Sequence, residues 1–245
     1  MEVEHRAYAR VGLLGNPSDV YGGRAVSFAV AGLWATVRLR PSEELLVQPH
    51  PRHDLVAFPC LSALDFSQEH MDKLGHGIYT PLDVNLLPPL YLIYAENPSD
   101  SGKVHSSVRQ RWLDGDEFII SSMKEVAHLA YDGHNALLQK NYTELARLMN
   151  RNFDLRRQMF GDDVLGAVNI KMVEVARSVG AASKFTGSGG AVVAFCPDGD
   201  AQAELLKKAC EEAGFVVEPI EVAPSVLTEE EVASLYKSPV DKRIS

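Results

Sequence analysis

The sequence predicts an α+β protein in which helices cover antiparallel strands. Apolar residues spaced by three and four predict helices at residues 117–130, 142–160 and 163–179. Short apolar runs bounded by glycine, proline or asparagine predict strands before and after these helices. The order after residue 90 is strand, helices, two strands, helix and strand, which differs from the regular alternation of a parallel α/β sheet. We therefore expect a layer of helices on an antiparallel sheet.

The N-terminal third is predicted to consist mainly of strands. Residues 7–14 and 26–39 form apolar runs of strand type. Residues 44–48 and 55–58 are shorter strand candidates. Between residues 49 and 80, prolines, histidines and glycines interrupt the pattern, so no helix is predicted there.

The C-terminal part is predicted to end with a helix between two strands. Residues 200–213 have a helical pattern, with Asp200 as the candidate N-cap and Gly214 just beyond the end. From residue 224 onward the chain is polar, and we expect a weakly ordered tail over residues 224–245. The strands of this part are predicted at residues 90–95, 183–186, 191–195 and 215–222.

Composition restricts the possible classes of function. The chain has 245 residues and a formal net charge of −9, which disfavours a nucleic-acid or anionic-membrane surface. Its three cysteines are too few and too scattered for a disulfide framework or a zinc site. The N-terminus is charged, and the longest uncharged stretch, residues 25–37, has 13 residues, too few to span a bilayer. We expect a cytoplasmic protein of one domain or two small ones.

A polar turn follows the first predicted strand. It places Asn16, Ser18, Asp19 and Tyr21 in one short segment that is bounded by glycines. So many hydrogen-bonding side chains beside a sharply bent backbone favour recognition of a small polyhydroxylated molecule. The alternative is a plain hairpin turn, because Gly-Gly and Asn-Pro are common turn formers.

A second glycine-rich loop joins two of the predicted strands. Its residues Gly187, Ser188, Gly189 and Gly190 are small, which lets backbone N–H groups point at an anionic oxygen. A dinucleotide fingerprint is excluded, because Val192 stands where its third glycine belongs and a strand follows instead of a helix. The alternative is a tight hairpin between two sheet strands.

Three other patterns are less specific. His50 and His53 have metal-ligand character, but a proline distorts their spacing and no metal site is predicted. Residues 97–105 form a strand-to-helix loop that either binds a carboxylate or phosphate or is simply solvated. The arginines of the helix predicted at 142–160 are expected to form a salt-bridged solvent face. They are Arg147, Arg151, Arg156 and Arg157.

The two loops together resemble the first and third motifs of the GHMP kinase superfamily. Nearly the whole chain is similar to the plant-type glucuronokinases within it. Arg10, Gly15 and Asp19 match the basic residue, the glycine and the aspartate of the first motif. Asn16 and Pro17 replace the Glu-His pair of that motif, which suits a sugar other than galactose.

This resemblance implies a GHMP-kinase-like fold of two domains. The N-terminal domain, over residues 1–85, would be truncated. The C-terminal domain, over residues 86–223, would consist of helices on an antiparallel sheet, and the tail over 224–245 would follow it.

The resemblance also implies roles for the two loops. Asn16 and Asp19 would bind substrate hydroxyl groups, with Ser18 and Tyr21 in the same substrate-binding turn. Arg10 would stabilise charge on the transferring phosphoryl group, because a guanidinium binds phosphate oxygens well. The glycine loop would lie beside this turn and beside the phosphates of the nucleotide, and no residue is assigned as a metal ligand.

The family activity would be phosphorylation of a sugar acid. The resemblance implies ATP and Mg²⁺ as cofactors and conversion of D-glucuronate to D-glucuronate 1-phosphate, towards UDP-glucuronate. The implied partners are the sugar acid and ATP, with no nucleic acid and no membrane.

The second motif of the superfamily, which holds the ATP phosphates, is absent from this sequence. Neither Pro-x-x-x-Gly-Leu-x-[Ser/Gly]-Ser-[Ser/Ala] nor a Walker A motif occurs. Leu64 runs directly into Asp65, where full-length relatives have a long insertion, and neither Asp65, Asp72 nor Asp83 has the context of the family's catalytic aspartate. We therefore predict that phosphoryl transfer by this chain is impaired. The alternatives are a non-catalytic sugar-binding or interaction protein, and a chain that does not fold stably.

Overall fold

The structure is a computed structural model, and it describes residues 3–39, 41, 62–75, 77–95 and 106–223. Its strands are β1 (Val3–Leu14), β2 (Arg24–Leu39), β3 (Ser62–Asp65), β4 (Ile78–Pro81), β5 (Leu90–Tyr94), β6 (Ala182–Phe185), β7 (Ala191–Phe195) and β8 (Val216–Pro219). Its α-helices are α1 (Gln68–Leu74), α2 (Ser106–Leu113), α3 (Glu117–Leu138), α4 (Tyr142–Phe160), α5 (Asp162–Leu165), α6 (Ala167–Ser178) and α7 (Asp200–Glu212). Within these described ranges, no helix is both long and apolar enough to cross a membrane.

The strands form two sheets in which every pair of neighbours is antiparallel. The first sheet has the order β1-β2-β3-β4, and the second has the order β6-β7-β5-β8. The segment after β8 returns to the first sheet through an antiparallel bridge between Val30 and Val222. The predicted α+β fold with helices on antiparallel strands is therefore confirmed.

Helices α3 and α4 pack against each other and connect the two sheets. Their buried side chains belong to one hydrophobic cluster with residues of β1, β2, β5, β6 and β7. On α3, a Cβ at Gly133 would collide with Leu14 at the end of β1, so glycine lets the helix approach that strand closely. Phe153 of α4 packs edge-on against Phe185 of β6, with ring centroids 5.3 Å apart. The end of β1 therefore packs against α3, and β6 packs against the neighbouring helix α4.

The structure corrects four predictions of local structure. The helix predicted over 117–130 is α3, which continues to Leu138. The helix predicted over 163–179 is divided into α5 and α6, because Gly166 between them has a φ of +81°. Gly199 is the N-cap of α7, and Asp200 is its first helical residue. The segment predicted to lack a helix contains α1, which begins after Ser67. The predicted strands at 44–48 and 55–58, the loop at 97–105 and the tail at 224–245 lie outside the described residues.

Candidate functional site

The polar turn predicted after the first strand connects β1 to β2. Gly15 has a φ of +88°, and a Cβ there would collide with the backbone of Arg24. A cis peptide bond joins Asn16 to Pro17, and a 3₁₀ turn follows over Ser18–Tyr21. That turn ends at Gly22 with a φ of 72°. Because side chains are strained at such φ values, the shape of the turn depends on both glycines.

Asn152 of α4 holds this turn in place. Its Oδ1 accepts a hydrogen bond from the backbone N–H of Gly15 at 2.9 Å, and its Nδ2 donates to the carbonyl oxygen of Asn16 at 2.9 Å. The Asn152 side chain is fully buried, so both bonds are protected from water. Paired buried backbone groups are the rule in folded proteins, and here one side chain pairs two of them.

Arg10, Asn16 and Asp19 come together at the turn. Nδ2 of Asn16 donates to Oδ2 of Asp19 at 3.3 Å. A Cβ at Gly12 would collide with Oδ1 of Asn16 and would lie 3.0 Å from Nη1 of Arg10, so both side chains close over this glycine. Oδ1 of Asn16 is buried and has no hydrogen-bond partner among the described residues. A buried acceptor without a partner is unusual in a folded protein.

Ser18 and Tyr21 have different surroundings within the same turn. The Ser18 hydroxyl donates to the carbonyl oxygen of Arg24 at 3.0 Å, and the side chain is 1% exposed. The Tyr21 ring packs edge-on against Trp112 of α2, with centroids 5.5 Å apart. Burial raises the pKa of Tyr21 above its ordinary value, while the charge of Arg109 opposes that change. The hydroxyl proton of Ser18 is therefore used within the turn, and the Tyr21 ring anchors the turn to α2.

The glycine loop between β6 and β7 lies directly beside β1. The carbonyl oxygen of Thr186 accepts a hydrogen bond from the N–H of Gly12 at 2.7 Å. Gly190 has a φ of +83°, and its N–H donates to Oδ1 of Asn169 at 3.0 Å. Within the described part of the chain, nothing accepts a hydrogen bond from the N–H groups of residues 187–189. The loop is thus joined to the polar turn through β1 and retains three backbone donors for a ligand.

Lys184, at the start of this loop region, is buried against β1. Its Nζ donates to the carbonyl oxygens of Gly12 and Phe185, each at 2.6 Å, and the residue is 2% exposed. Burial lowers the pKa of Lys184 well below its ordinary value, and the nearby charges of Arg156 and Arg10 lower it further. The negative charge of Asp19 acts in the opposite direction. Lys184 therefore connects the two loops electrostatically as well as by hydrogen bonds.

Arg156 of α4 lies beneath the glycine loop. Its Nη2 donates to the carbonyl oxygen of Ser188 at 3.2 Å, and its guanidinium lies 5.3 and 5.4 Å from the ring centroids of Phe160 and Phe185. The residue is 3% exposed, and its Nε has no hydrogen-bond partner among the described residues. Burial lowers the pKa of Arg156 to about 10, against the opposing effect of Asp19, so the guanidinium stays protonated at neutral pH.

Arg156 is therefore an exception to the predicted solvent face of α4. Arg147, Arg151 and Arg157 do pair with carboxylates at the surface, at Glu144, Glu125 and Asp162 respectively. The sequence held a signal for the exception, because Arg156 follows Asn152 and Phe153 by four and three residues and precedes Phe160 by four. This spacing places Arg156 on the buried face of the helix. The burial of Lys184 is seen only in the structure, where all four residues of β6 are buried.

The glycine loop faces open space and lies near positive charge. The glycine loop presents its N–H groups, and a Cβ at Gly187 or Gly190 would meet nothing within 4 Å, so there is open space in front of the loop. The positive charges of Arg10 and Arg156, which both lie near Lys184, favour an anion there. Among the described residues no three side chains of metal-ligating type form a cluster.

Known proteins are similar to this chain in fold and in sequence. A model of the C-terminal domain of GHMP kinases matches residues 134–214, which include the glycine loop. The Lin0012 protein from Listeria innocua superposes with a TM-score of 0.72 at 13% identity, covering 94% of this chain and 100% of that chain. Mevalonate kinase of L. major, solved with R-mevalonate, superposes with a TM-score of 0.61 at 16% identity, covering 92% and 97%. The fold is therefore that of the GHMP kinases.

Sequence identity narrows this class to one family. Glucuronokinase 1 of Arabidopsis thaliana is 44% identical to this chain over 346 residues, covering 95% of this chain and 96% of that protein. The chain belongs to the glucuronokinase family within the GHMP kinases. The resemblance inferred from the two loops is confirmed.

Proposed function

We propose that this chain binds D-glucuronate at the turn of Asn16 and Asp19, and that its own phosphoryl transfer is impaired. The ancestral activity is the ATP-dependent conversion of D-glucuronate to D-glucuronate 1-phosphate, towards UDP-glucuronate. The observation that carries the proposal is the 44% identity to Glucuronokinase 1 over 95% of this chain. The arrangement of the polar turn and the glycine loop around β1 supports it.

In this proposal the turn recognises the hydroxyl groups of the sugar. The buried Oδ1 of Asn16 accepts a hydrogen bond from one hydroxyl, which satisfies an atom that otherwise has no partner among the described residues. The Asp19 carboxylate, half-buried and next to Nδ2 of Asn16, accepts from another. Ser18 and Tyr21 contribute by holding the backbone of the turn against Arg24 and Trp112. Recognition of a sugar then depends on a turn that is already formed before the ligand arrives.

Arg10 and the glycine loop act on the other side of the turn. Arg10 lies in β1 two residues before Gly12 and stabilises negative charge on the group that reacts with the sugar. Gly187, Ser188 and Gly189 offer their N–H groups to phosphate oxygens, as a nest of backbone donors does. ATP, when bound, supplies the phosphoryl group, and Mg²⁺ reduces the negative charge of its phosphates.

Two observations support impaired transfer. The sequence has no second GHMP motif. The chain therefore lacks the loop that cradles the ATP phosphates, which phosphoryl transfer requires. The alignment to Glucuronokinase 1 extends over 346 residues, more than the 245 of this chain, so that relative has residues with no counterpart here. We place the difference where Leu64 meets Asp65, because the family insertion belongs there.

The domain division and the compartment are also part of the proposal. The first sheet lies within residues 1–85 and the second within residues 86–223, which agrees with the two proposed domains. We assign the chain to the cytoplasm, where its cysteines would stay reduced; Cys196 and Cys210 are buried free thiols.

Calorimetry tests the binding of glucuronate and the binding of ATP separately. Titration with D-glucuronate should give saturable binding that is lost in Asp19→Ala, whereas a non-hydrolysable ATP analogue should bind far more weakly. Glu69→Ala, which removes an exposed carboxylate of α1 that pairs with Lys73, is the control and should bind glucuronate as the parent does. Absence of glucuronate binding to a cooperatively folded parent chain would refute the sugar site.

A second candidate is a non-catalytic sugar-binding or interaction protein derived from the kinase. Two observations favour it: the polar turn is held in place by Asn152, and the motif that binds the ATP phosphates is missing from the sequence. Sugar binding without any ATP hydrolysis would support this candidate, and measurable glucuronate-dependent turnover would refute it.

A further inference from the structure

Among the residues that the structure describes, no acidic side chain is in contact with the buried charge of Arg156. Its hydrogen bond goes to the neutral carbonyl of Ser188, its flat faces lie near two phenylalanine rings, and its Nε donates to no described residue. Asp19 influences it only through space. Burial of a charge without a counter-charge in contact is costly, because the charge loses its hydration. A residue that only filled this space would not need to be charged, so the charge itself requires an explanation.

The groups around Arg156 belong to the glycine loop and to the region between the two loops. Its Nη2 holds the Ser188 carbonyl inward, while the N–H groups of residues 187–189 bind no described residue. Lys184 crosses from the glycine loop to the carbonyl of Gly12, beside Asn16 and Arg10. These basic side chains therefore surround the region between the two loops, and the charge of Asp19 acts on both Arg156 and Lys184.

We infer that Arg156 is a positioning residue that makes the glycine loop a site for a small oxyanion. It acts through Ser188, by orienting the loop with its N–H groups available to the ligand, and through its positive charge under the loop. Interactions with a buried charge are strong because the local dielectric is low and salt screens them weakly. This inference rests on the proposed function, since it names the chemistry that the site adds to hydroxyl recognition.

Two ligand groups carry the required oxyanion. One is the carboxylate of the sugar acid, in which case Arg156 selects an acidic over a neutral sugar. The other is a phosphoryl group at the loop, in which case Arg156 supports the phosphate end of the site. Both groups present oxygens that accept hydrogen bonds from backbone N–H groups and are stabilised by a nearby guanidinium.

The test compares three variants of the full chain. Arg156→Met removes the charge with a similar chain length, Arg156→Lys retains a positive charge, and Arg157→Met removes the adjacent arginine, which pairs with Asp162 at the surface. Thermal shift and calorimetry are run at constant ionic strength with sodium glucuronate, with inorganic phosphate, and with glucose as the neutral sugar.

We expect Arg156→Met to weaken binding of at least one anion by about tenfold or more, the size of a lost charged hydrogen bond. Arg156→Lys should recover part of that loss, and Arg157→Met should bind as the parent does. The midpoint of thermal unfolding of unliganded Arg156→Met should not fall, because replacing an unpaired buried charge by an apolar side chain relieves its desolvation cost. A merely structural arginine would give the opposite stability result.

Comparing glucuronate with phosphate shows which oxyanion the site binds. Dependence on Arg156 for glucuronate alone assigns the site to the sugar carboxylate, and dependence for phosphate alone assigns it to a phosphoryl group. Equal glucuronate affinity of the parent and Arg156→Met refutes the carboxylate role but leaves sugar binding intact. Failure of the parent to bind glucuronate, with Arg156-dependent phosphate binding retained, refutes the proposed sugar and leaves the oxyanion site. If both anions bind the parent and Arg156→Met equally, or neither binds the parent, the inference is wrong.

Discussion

Replacing Asn152 by alanine tests how the polar turn is held. This fully buried side chain pairs the N–H of Gly15 and the carbonyl of Asn16, and no other described residue makes those two contacts. Asn152→Ala would leave both backbone groups buried without a partner. Each such group costs about 1–3 kcal/mol, so the free energy of unfolding should fall by about 2–6 kcal/mol. For a chain of this size, that corresponds to a decrease of about 5–20 °C in the midpoint of thermal unfolding.

The assay is urea denaturation followed by circular dichroism, with glucuronate titration under folded conditions. Gln158→Ala is the matched control, because Gln158 is exposed on the same helix. We expect the control to change the free energy of unfolding by less than about 0.5 kcal/mol. Asn152→Ala should lose glucuronate affinity as well as stability, because the turn that carries Asn16 is released. A stability within about 1 kcal/mol of the control, with normal glucuronate binding, would show that Asn152 does not hold the turn.

Three further predictions concern other parts of the fold and site. Gly12→Ala should weaken glucuronate binding by about tenfold or more in calorimetry, because its Cβ displaces Oδ1 of Asn16; unchanged affinity would place the sugar elsewhere. Gly133→Ala should reduce the free energy of unfolding by about 1–3 kcal/mol in urea, because its Cβ collides with Leu14; a more stable variant would contradict the packing. Burial raises the pKa of the Cys196 and Cys210 thiols to about 11, so their stabilising contribution is complete below about pH 9 and is lost as the pH rises towards 11. Changing both to alanine should flatten the fall in stability over that range, and an unchanged pH profile would refute the assignment.

Local sequence is sufficient to predict an element of secondary structure where that element is long or strongly apolar. Helix α4 spans the predicted residues 142–160, and β7 spans the predicted residues 191–195, because their hydrophobic periodicity is clear. The strands β3 and β4 have four residues each and depend on pairing with β2 and with each other, as when Asp65 pairs with Arg24. Such short elements are stabilised by contacts distant in the chain, which local patterns do not contain.

In the candidate site, too, local patterns predict some features, and others depend on contacts between residues distant in the chain. Both loops were predicted because glycine and small polar residues concentrate within a few positions of each other. The residues that hold them together act over long separations: Asn152 is 136 residues from Asn16, and Lys184 is 172 residues from Gly12. Arg156 was assigned to the surface because it is one of four arginines on α4, although its helical phase indicates the buried face.

We propose that this chain retains the acceptor side of a kinase site without effective phosphoryl transfer. The most direct test is glucuronate-dependent ADP formation in a coupled assay, measured beside Glucuronokinase 1 of A. thaliana under the same conditions. We predict a rate about a thousandfold or more below that of the relative, because positioning and charge neutralisation of the phosphates supply most of the catalysis. A turnover comparable to that of the relative would contradict the account, because the chain would then hold and transfer phosphate without the second motif.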